Sequence, residues 1–468
     1  MKVWFFVNKD KFIRGEYCMN KNLFLKFMLV CSLLAAGLLS FTAFAEEGTA
    51  SLSHEGYTLE QVVVLSRHNI RSPLSGSGST LGTITPHEWF AWSSNPSELS
   101  LRGGVLETEM GEYFRKWLES EGFFPENYQP EPSAVRIYSN SKQRTIATAR
   151  YFSAGLLPST NAEIEYYMAF DAMDPVFTPQ LIFTSDAYNE YAEAQIRALF
   201  SETISGLAGN YELLADVIDM EDSEAWKNGS AAAFRTDDTE FTLKENAEPA
   251  MTGSLKTACS VSDALVLQYY EEPDEAKAGF GKKLTQQQWE DISKVKDVYV
   301  DVLYTAPLVA VNVAHPLLQE IQAEMTAEGR VFSFLCGHDS NLASVLAALD
   351  VSEYELPDAI EKKTPIGSKL VFSKWKAADG KDYWSADLVY QTTEQLRGLP
   401  LLDLQNPPAV FHISLNGLEQ NPDGLYTEED LLDRFEQAIL AFDELVENFS
   451  GAEVPEPVPA ELVYAPAK

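Results

Sequence analysis

A chain of 468 residues has room for roughly two domains of about 150–200 residues each, and 45% hydrophobic with 22% charged residues is a globular rather than a disordered composition. Lys plus Arg number 35 against 70 Asp plus Glu, a net charge of −35; six of the cations and two of the acids fall in the first 45 residues, so the remainder stands at −39. Such a surface repels phosphodiester backbones and anionic headgroups, which excludes nucleic-acid and peripheral-membrane roles and obliges an anionic substrate to find a local pocket of cations.

In chain order, Asn22 to Phe44 is largely apolar, follows Lys2, Lys9, Lys11, Arg14 and Lys21, and ends in Ala43-Phe44-Ala45 before Glu46-Glu47. A basic region, an apolar run and a small-x-small site read as a signal peptide over 1–45, cleaved after Ala45, with Met19 as an alternative start. An uncleaved anchor is the other reading of about 20 apolar residues. The expectation is an exported protein, periplasmic or secreted, without a membrane segment after cleavage. Only Cys259 and Cys336 follow; Cys336 closes an apolar run and reads as a buried free thiol, although pairing of the two stays open.

Three segments then share one pattern, an apolar run followed by a polar turn with basic residues and a helical stretch. They are Val62–Leu65 with Ser66 to Arg71, Val135–Tyr138 with Ser139 to Arg144, and Val331–Leu335 with Cys336 to Asp339. Helices are expected from Thr145 to Leu156 and from about Ser340 to Leu349. Continuous apolar runs read as strands buried on both faces, and α/β sheets bind ligands at the carboxyl ends of strands beside helix N-termini. All three basic turns should therefore share one edge.

Between the second and third units lie long helical stretches, Ala187 to Met220 and Gln286 to Glu328. The expected organisation is an α/β domain from 46–170 and 310–468 interrupted by a mostly helical cap at 171–309. Lys369–Lys374 and Tyr383–Tyr390 flank a hairpin turn at Ala378–Lys381. Val410–Leu415 reads as a further strand and Thr427–Phe449 as an amphipathic helix. The four-proline tail from Gly451 reads as poorly ordered.

Arg-His-x-x-Arg-x-Pro at Arg67–Pro73 places an imidazole between two guanidiniums. Guanidinium binds phosphate oxygens bidentately and stays charged, and a neutral imidazole so flanked is a competent nucleophile toward phosphorus. Read alone, the turn could carry an incidental histidine. His338-Asp339 on the same edge weighs against that: His338 can donate to a phosphate oxygen, and a protonated Asp339 can supply a departing alkoxide with its proton. Asp339 also reads as a helix cap, a role compatible with catalysis.

These residues resemble the histidine acid phosphatases, the large branch of the histidine phosphatase superfamily. The resemblance covers nearly the whole chain beyond residue 45. It implies the phosphoglycerate mutase-like fold: α/β, a central mixed and mostly parallel sheet flanked by helices, with an inserted helical cap. It further implies transient phosphorylation of His68, a phosphate clamp of Arg67, Arg71, Arg144 and His338, and Asp339 as general acid, with no metal and no cofactor. Within the family, phytases carry Gly after the nucleophile and Thr after the Pro. Here Asn69 and Leu74 stand there, similar to the members acting on glucose 1-phosphate, and by that likeness Glu271 reaches the substrate from the helical domain.

The chain departs from the family in its few cysteines and at Glu272-Pro273, where a Gly-Phe-Pro-like turn is usual, which bears on the sugar side of the site. The expected activity is hydrolysis of small phosphate esters, glucose 1-phosphate first. Inositol polyphosphates or a broad range of esters are the alternative substrates, and a catalytically dead sugar-phosphate binding protein is the reading from another class. The oligomeric state is open. Flanking arginines should lower the pKa of His68 and bound phosphate should raise that of Asp339, giving a maximum at roughly pH 4–6.

Overall fold

In the computed structural model, residues 51–74 and 80–451 are described; the expected signal peptide and the chain beyond Gly451 lie outside them. Tyr57–Arg67 forms β1, buried over its last seven positions. Its apolar residues alternate between two cores: Val62 and Val64 pack with Phe114, Trp117 and Phe152, whereas Val63 and Leu65 pack with Leu317, Leu342 and Phe435. A strand covered on both faces has no polar side, which is why the run shows no alternation in sequence.

On one face lie α1 (Leu101–Ser120) and, after β2 (Val135–Ser139), α2 (Gln143–Leu156). These helices meet at backbone distance. A Cβ on Gly111 would stand 2.1 Å from the Phe152 carbonyl oxygen, and one on Gly155 would stand 2.2 Å from that of Thr108. The chain continues through α3 (Asp186–Ser205), α4 (Ala208–Val217), the hairpin β3 (Glu240–Thr242) and β4 (Ala250–Thr252), α5 (Ser254–Glu271) and α6 (Gln286–Tyr304). Their core includes Trp289 stacked on Tyr269 at 4.0 Å. The helical stretch from Gln286 to Glu328 is built of two helices: α7 (Pro307–Thr326) leaves α6 at 84°. Pro307 is the cause, since it has no N–H for the ladder and suits a first helical position.

After β5 (Phe332–Gly337) come α8 (Asp339–Ala348), β6 (Lys369–Ala377), β7 (Asp382–Tyr390), β8 (Ala409–His412), β9 (Tyr426–Thr427) and α9 (Glu428–Phe449). Helices α7, α8 and α9 contribute to the second core. The sheet order is β2-β5-β1-β6-β7-β8, with β9 also on β7. Parallel pairing is confined to β2–β5–β1; every ladder from β1–β6 outward is antiparallel. The sheet is thus mixed, with β1, β2, β5 and β7 running one way. The tight turn at Gly380 (φ +85°) leaves β6 and β7 no other choice.

Register aligns the functional edge. Ser66 and Ser139 both pair with Cys336, and the next amides, His68 N–H to Gly337 at 3.0 Å and Asn140 N–H to Cys336 at 2.9 Å, end the ladders at one level. The three turns emerge side by side as expected. The first reaches its long helix late, however: after a single helical turn at Thr80–Thr83, α1 starts at Leu101, capped by the Ser100 hydroxyl. Cys259 and Cys336 are free thiols, the latter buried within β5.

Candidate active site

Arg67 closes β1 with its side chain 1% exposed. Nη1 donates to Glu361 Oε1 at 2.7 Å and to the Thr364 carbonyl, and Nη2 lies 3.3 Å from Asp339 Oδ2. The His68 ring follows, with Nδ1 at 2.9 Å from the Asn69 carbonyl oxygen. A carbonyl only accepts, so Nδ1 carries the proton of the neutral ring and Nε2 keeps a lone pair. Burial first, then Arg144, His338, Arg71 and Arg67, hold the His68 pKa well below its ordinary value. The ring is neutral in mild acid.

Asn69 is locked from behind. Its N–H reaches Thr148 Oγ1 at 3.1 Å and its amide donates to Glu107 Oε2 at 2.9 Å. Glu107 in turn pairs with Lys369 at 2.8 Å, both with no exposure. Gly367 (φ +72°) makes room: a Cβ there would stand 2.5 Å from Asn69 Nδ2.

Arg71 Nη2 donates to Asp263 Oδ2 on α5 at 3.0 Å. Arg144, in the first turn of α2, puts Nη2 at 3.4 Å from His338 Nδ1 and forms no ion pair among the described residues. Burial and the neighbouring Arg71 push its pKa down to about 10. Such a guanidinium lacks an anion.

His338, not Asp339, is the N-cap of α8. Its Nε2 lies 2.7 Å from Asn140 Nδ2, and the Asn140 amide is oriented by Asp174 N–H on Oδ1 at 2.9 Å. Nε2 therefore accepts, and the neutral ring carries its proton on Nδ1, toward Arg144. Burial and Arg144 lower the His338 pKa. The rings of His68 and His338 stand edge to face, 5.5 Å apart.

Asp339 opens α8. Oδ1 accepts from Ser340 N–H at 3.0 Å, while Oδ2 faces both Arg67 and Lys296 Nζ, the latter at 3.2 Å. Burial alone would raise its pKa; Arg67 and Lys296 outweigh that and hold it well below the carboxylate range. The raised pKa expected of Asp339 belongs to the phosphate-bound state, and the free site starts from the opposite side. Without substrate, Asp339 is an anion.

The family model of the histidine phosphatase superfamily (branch 2) matches residues 58–386. The chain belongs to that superfamily. A glucose-1-phosphatase of Salmonella typhimurium is 36% identical over 413 residues, 87% of this chain and 98% of the relative. One of Providencia rettgeri is 34% identical over 87% and 97%. Among solved structures, Hafnia alvei phytase without ligand superposes with a TM-score of 0.74 at 26% identity, covering 83% of this chain and 98% of that one. The same phytase in complex with myo-inositol hexakis sulphate gives 0.73 at 25%, with the same coverage.

Of the seven site residues expected for this histidine phosphatase, Arg67, His68, Arg71, Arg144, His338 and Asp339 form one connected cluster. Glu271 does not join it. It ends α5 with Oε2 on the Ser100 hydroxyl at 2.9 Å, and Ser100 N–H bonds the Ile70 carbonyl at 2.9 Å, so it sits beside the loop that follows His68. Burial raises its pKa.

Sequence reasoning missed the carboxylates and the lysine that bind the clamp together. Lys296 Nζ lies 3.2–3.4 Å from Asp339, Glu361 and Asp263. A signal existed: Lys296 falls on the stripe of Trp289, Ile292, Val300 and Leu303, where α6 is otherwise apolar, and Asp263 interrupts the buried run Val261 to Leu267. Charges at core positions are rare unless paired. With both imidazoles neutral, the cations Arg67, Arg71, Arg144 and Lys296 outnumber the carboxylates Asp263, Asp339 and Glu361 by one.

Proposed function

We propose that this histidine phosphatase is a phosphomonoesterase for sugar phosphates, glucose 1-phosphate first, working through a phosphohistidine on His68. The observation that carries the reading is the Nε2 lone pair of His68 among Arg67, Arg71, Arg144 and His338. The guanidiniums and His338 Nδ1–H take the non-bridging oxygens, and Nε2 attacks phosphorus in line with the ester oxygen. The P–O bond breaks as Asp339 gives its proton to the departing alkoxide. In the second half, the Asp339 carboxylate takes a proton from water as the oxygen attacks phosphorus, and the N–P bond breaks to free neutral His68; phosphate then leaves with the Asp339 proton, which restores the resting anion.

The charge count supplies the proton. A site of net charge +1 receives a phosphate monoester monoanion with full compensation, and the proton that this ester brings (second pKa about 6) is the one that Asp339 needs. The preference for glucose 1-phosphate rests on the two glucose-1-phosphatase relatives and on Asn69. Glu271, on the rim at Ser100, is proposed to contact the sugar. The phytase neighbours favour inositol hexakisphosphate as the second reading. Steady-state kinetics on glucose 1-phosphate, glucose 6-phosphate, inositol hexakisphosphate and p-nitrophenyl phosphate decide between them: the highest kcat/KM should fall on glucose 1-phosphate, and a higher value on inositol hexakisphosphate would transfer the assignment.

Export to the periplasm or medium is also proposed, from the Lys-rich start, the apolar run and Ala43-Phe44-Ala45. N-terminal sequencing of the exported protein should begin at Glu46. Retention of the full chain in the cytoplasm would count against it.

A further inference from the structure

Asp339 Oδ2 is shared by two cations of different origin, Arg67 from the nucleophile turn at 3.3 Å and Lys296 from the middle of α6 at 3.2 Å. Lys296 is 8% exposed and Arg67 1%, whereas the Asp339 side chain keeps 21% of its surface open. The carboxylate is the outward end of an otherwise buried ionic network. Lys296 also touches Glu361 Oε1 at 3.3 Å and Asp263 Oδ1 at 3.4 Å, the partners of Arg67 and Arg71. One ammonium thus contacts the proposed proton donor and both carboxylates that orient the clamp.

We propose that Lys296 is a positioning residue for proton donation: it holds the Asp339 carboxylate against Arg67 and sets the upper pH limit of turnover. The inference rests on the reading of Asp339 as general acid.

An ammonium at that distance favours the carboxylate over the carboxyl form. Removing it leaves Arg67 on Oδ2, with His68 and His338 beside the carboxylate. Arg71 from the nucleophile turn and Arg144 from α2 remain, so that three guanidiniums face three carboxylates. Asp263 from α5, Glu361 from the β6-side loop and Glu248 from the β3–β4 turn are acidic groups that all favour the protonated form further. Asp297, next along α6, is raised to about 7 by burial and by Glu361, so it is largely uncharged in mild acid and adds no repulsion there. Every one of these groups is retained in a Lys296 variant, so the comparison isolates one charge.

The test is the pH dependence of kcat at saturating sugar phosphate, which reports groups in the enzyme–substrate complex. Lys296→Met should move the basic limb upward by about one pH unit or more, because Asp339 then keeps its proton to higher pH. Lys296→Arg, which keeps the charge, should leave the limb within a few tenths of a unit. With p-nitrophenyl phosphate, which needs no acid, the Met variant should show no such shift. A uniform fall in kcat with the limb unmoved would overturn the proposal and leave Lys296 a structural counter-ion. If melting shows Lys296→Met unfolded, Lys296→Gln carries the same readout. Asp339→Asn run in parallel separates the two ideas: equal losses on both substrates in that variant would refute Asp339 as the acid, whereas a loss confined to the sugar phosphate in Asp339→Asn, together with an unmoved Lys296→Met limb, would refute only the role of Lys296.

Discussion

The imidazole of His68 donates through Nδ1 to the carbonyl of its own neighbour, Asn69, across 2.9 Å. That single bond settles the tautomer and directs the reactive lone pair to Nε2. The carbonyl is itself held by a residue anchored on Thr148 and Glu107, so the nucleophile is aimed by the core and not by solvent.

Replacing His68 with Ala should abolish turnover while the fold survives, since the ring makes no ion pair among the described residues. Radiolabelled phosphate should be trapped on the wild-type protein after an alkaline quench, where phosphohistidine persists. Label that remains on the His68→Ala protein would mean a different nucleophile.

Asp339→Asn should cost about 10²–10⁴-fold in kcat on sugar phosphates and far less on p-nitrophenyl phosphate. The sugar alkoxide needs a proton as it departs, whereas p-nitrophenolate leaves as the anion. Parallel assays on both esters are sufficient.

The free-enzyme pH profile follows from directions already worked out. His68 titrates well below its usual 6.5, so it stays neutral into mild acid, and the acid limb lies below that value. Asp339 is held below 3.8 and carries no proton at working pH, so the proton must arrive on the ester. The basic limb of kcat/KM should therefore track the second pKa of the substrate, about 6 for a sugar phosphate, and fall for esters with a more acidic one. A limb that ignores the ester would show that the enzyme supplies the proton itself.

Lys369→Met strands Glu107 in the core without a counter-charge, and should cost about 3–5 kcal/mol of stability near neutrality. Burial raises the Glu107 pKa and Lys369 opposes that shift, so with the lysine gone the carboxyl is more easily protonated and the penalty should shrink as pH falls. Denaturant melts at pH 5 and pH 7.5 give the comparison. The double variant Glu107→Gln with Lys369→Met should regain most of the loss, and failure to do so would assign the cost to packing instead.

Dialysis against a chelator should leave activity unchanged, because three guanidiniums and an ammonium supply the charge that divalent metals supply in other phosphoryl-transfer sites. Loss on dialysis with recovery on adding Mg²⁺ or Zn²⁺ would contradict that division of labour.

Much of this protein was legible from its amino acids alone, for a local reason. Strands β1, β2 and β5 are continuous apolar runs, and Arg67, His68, Arg71, His338 and Asp339 lie within a few residues of their ends, so chain continuity alone puts them on one edge. The hairpin of β6 and β7 and the long amphipathic α9 carry their own turn and periodicity signals. What no local pattern could convey is the pairing across distance. Asp263, Lys296 and Glu361 stand 192 to 294 residues from the arginines they serve or are bridged to those partners through one another, and only packing of α5 and α6 against the sheet edge brings them within 3.4 Å. The ionisation of Asp339 in the free enzyme has no local signature for the same reason. Its pKa depends on the charges that surround it, and those arrive with the tertiary fold.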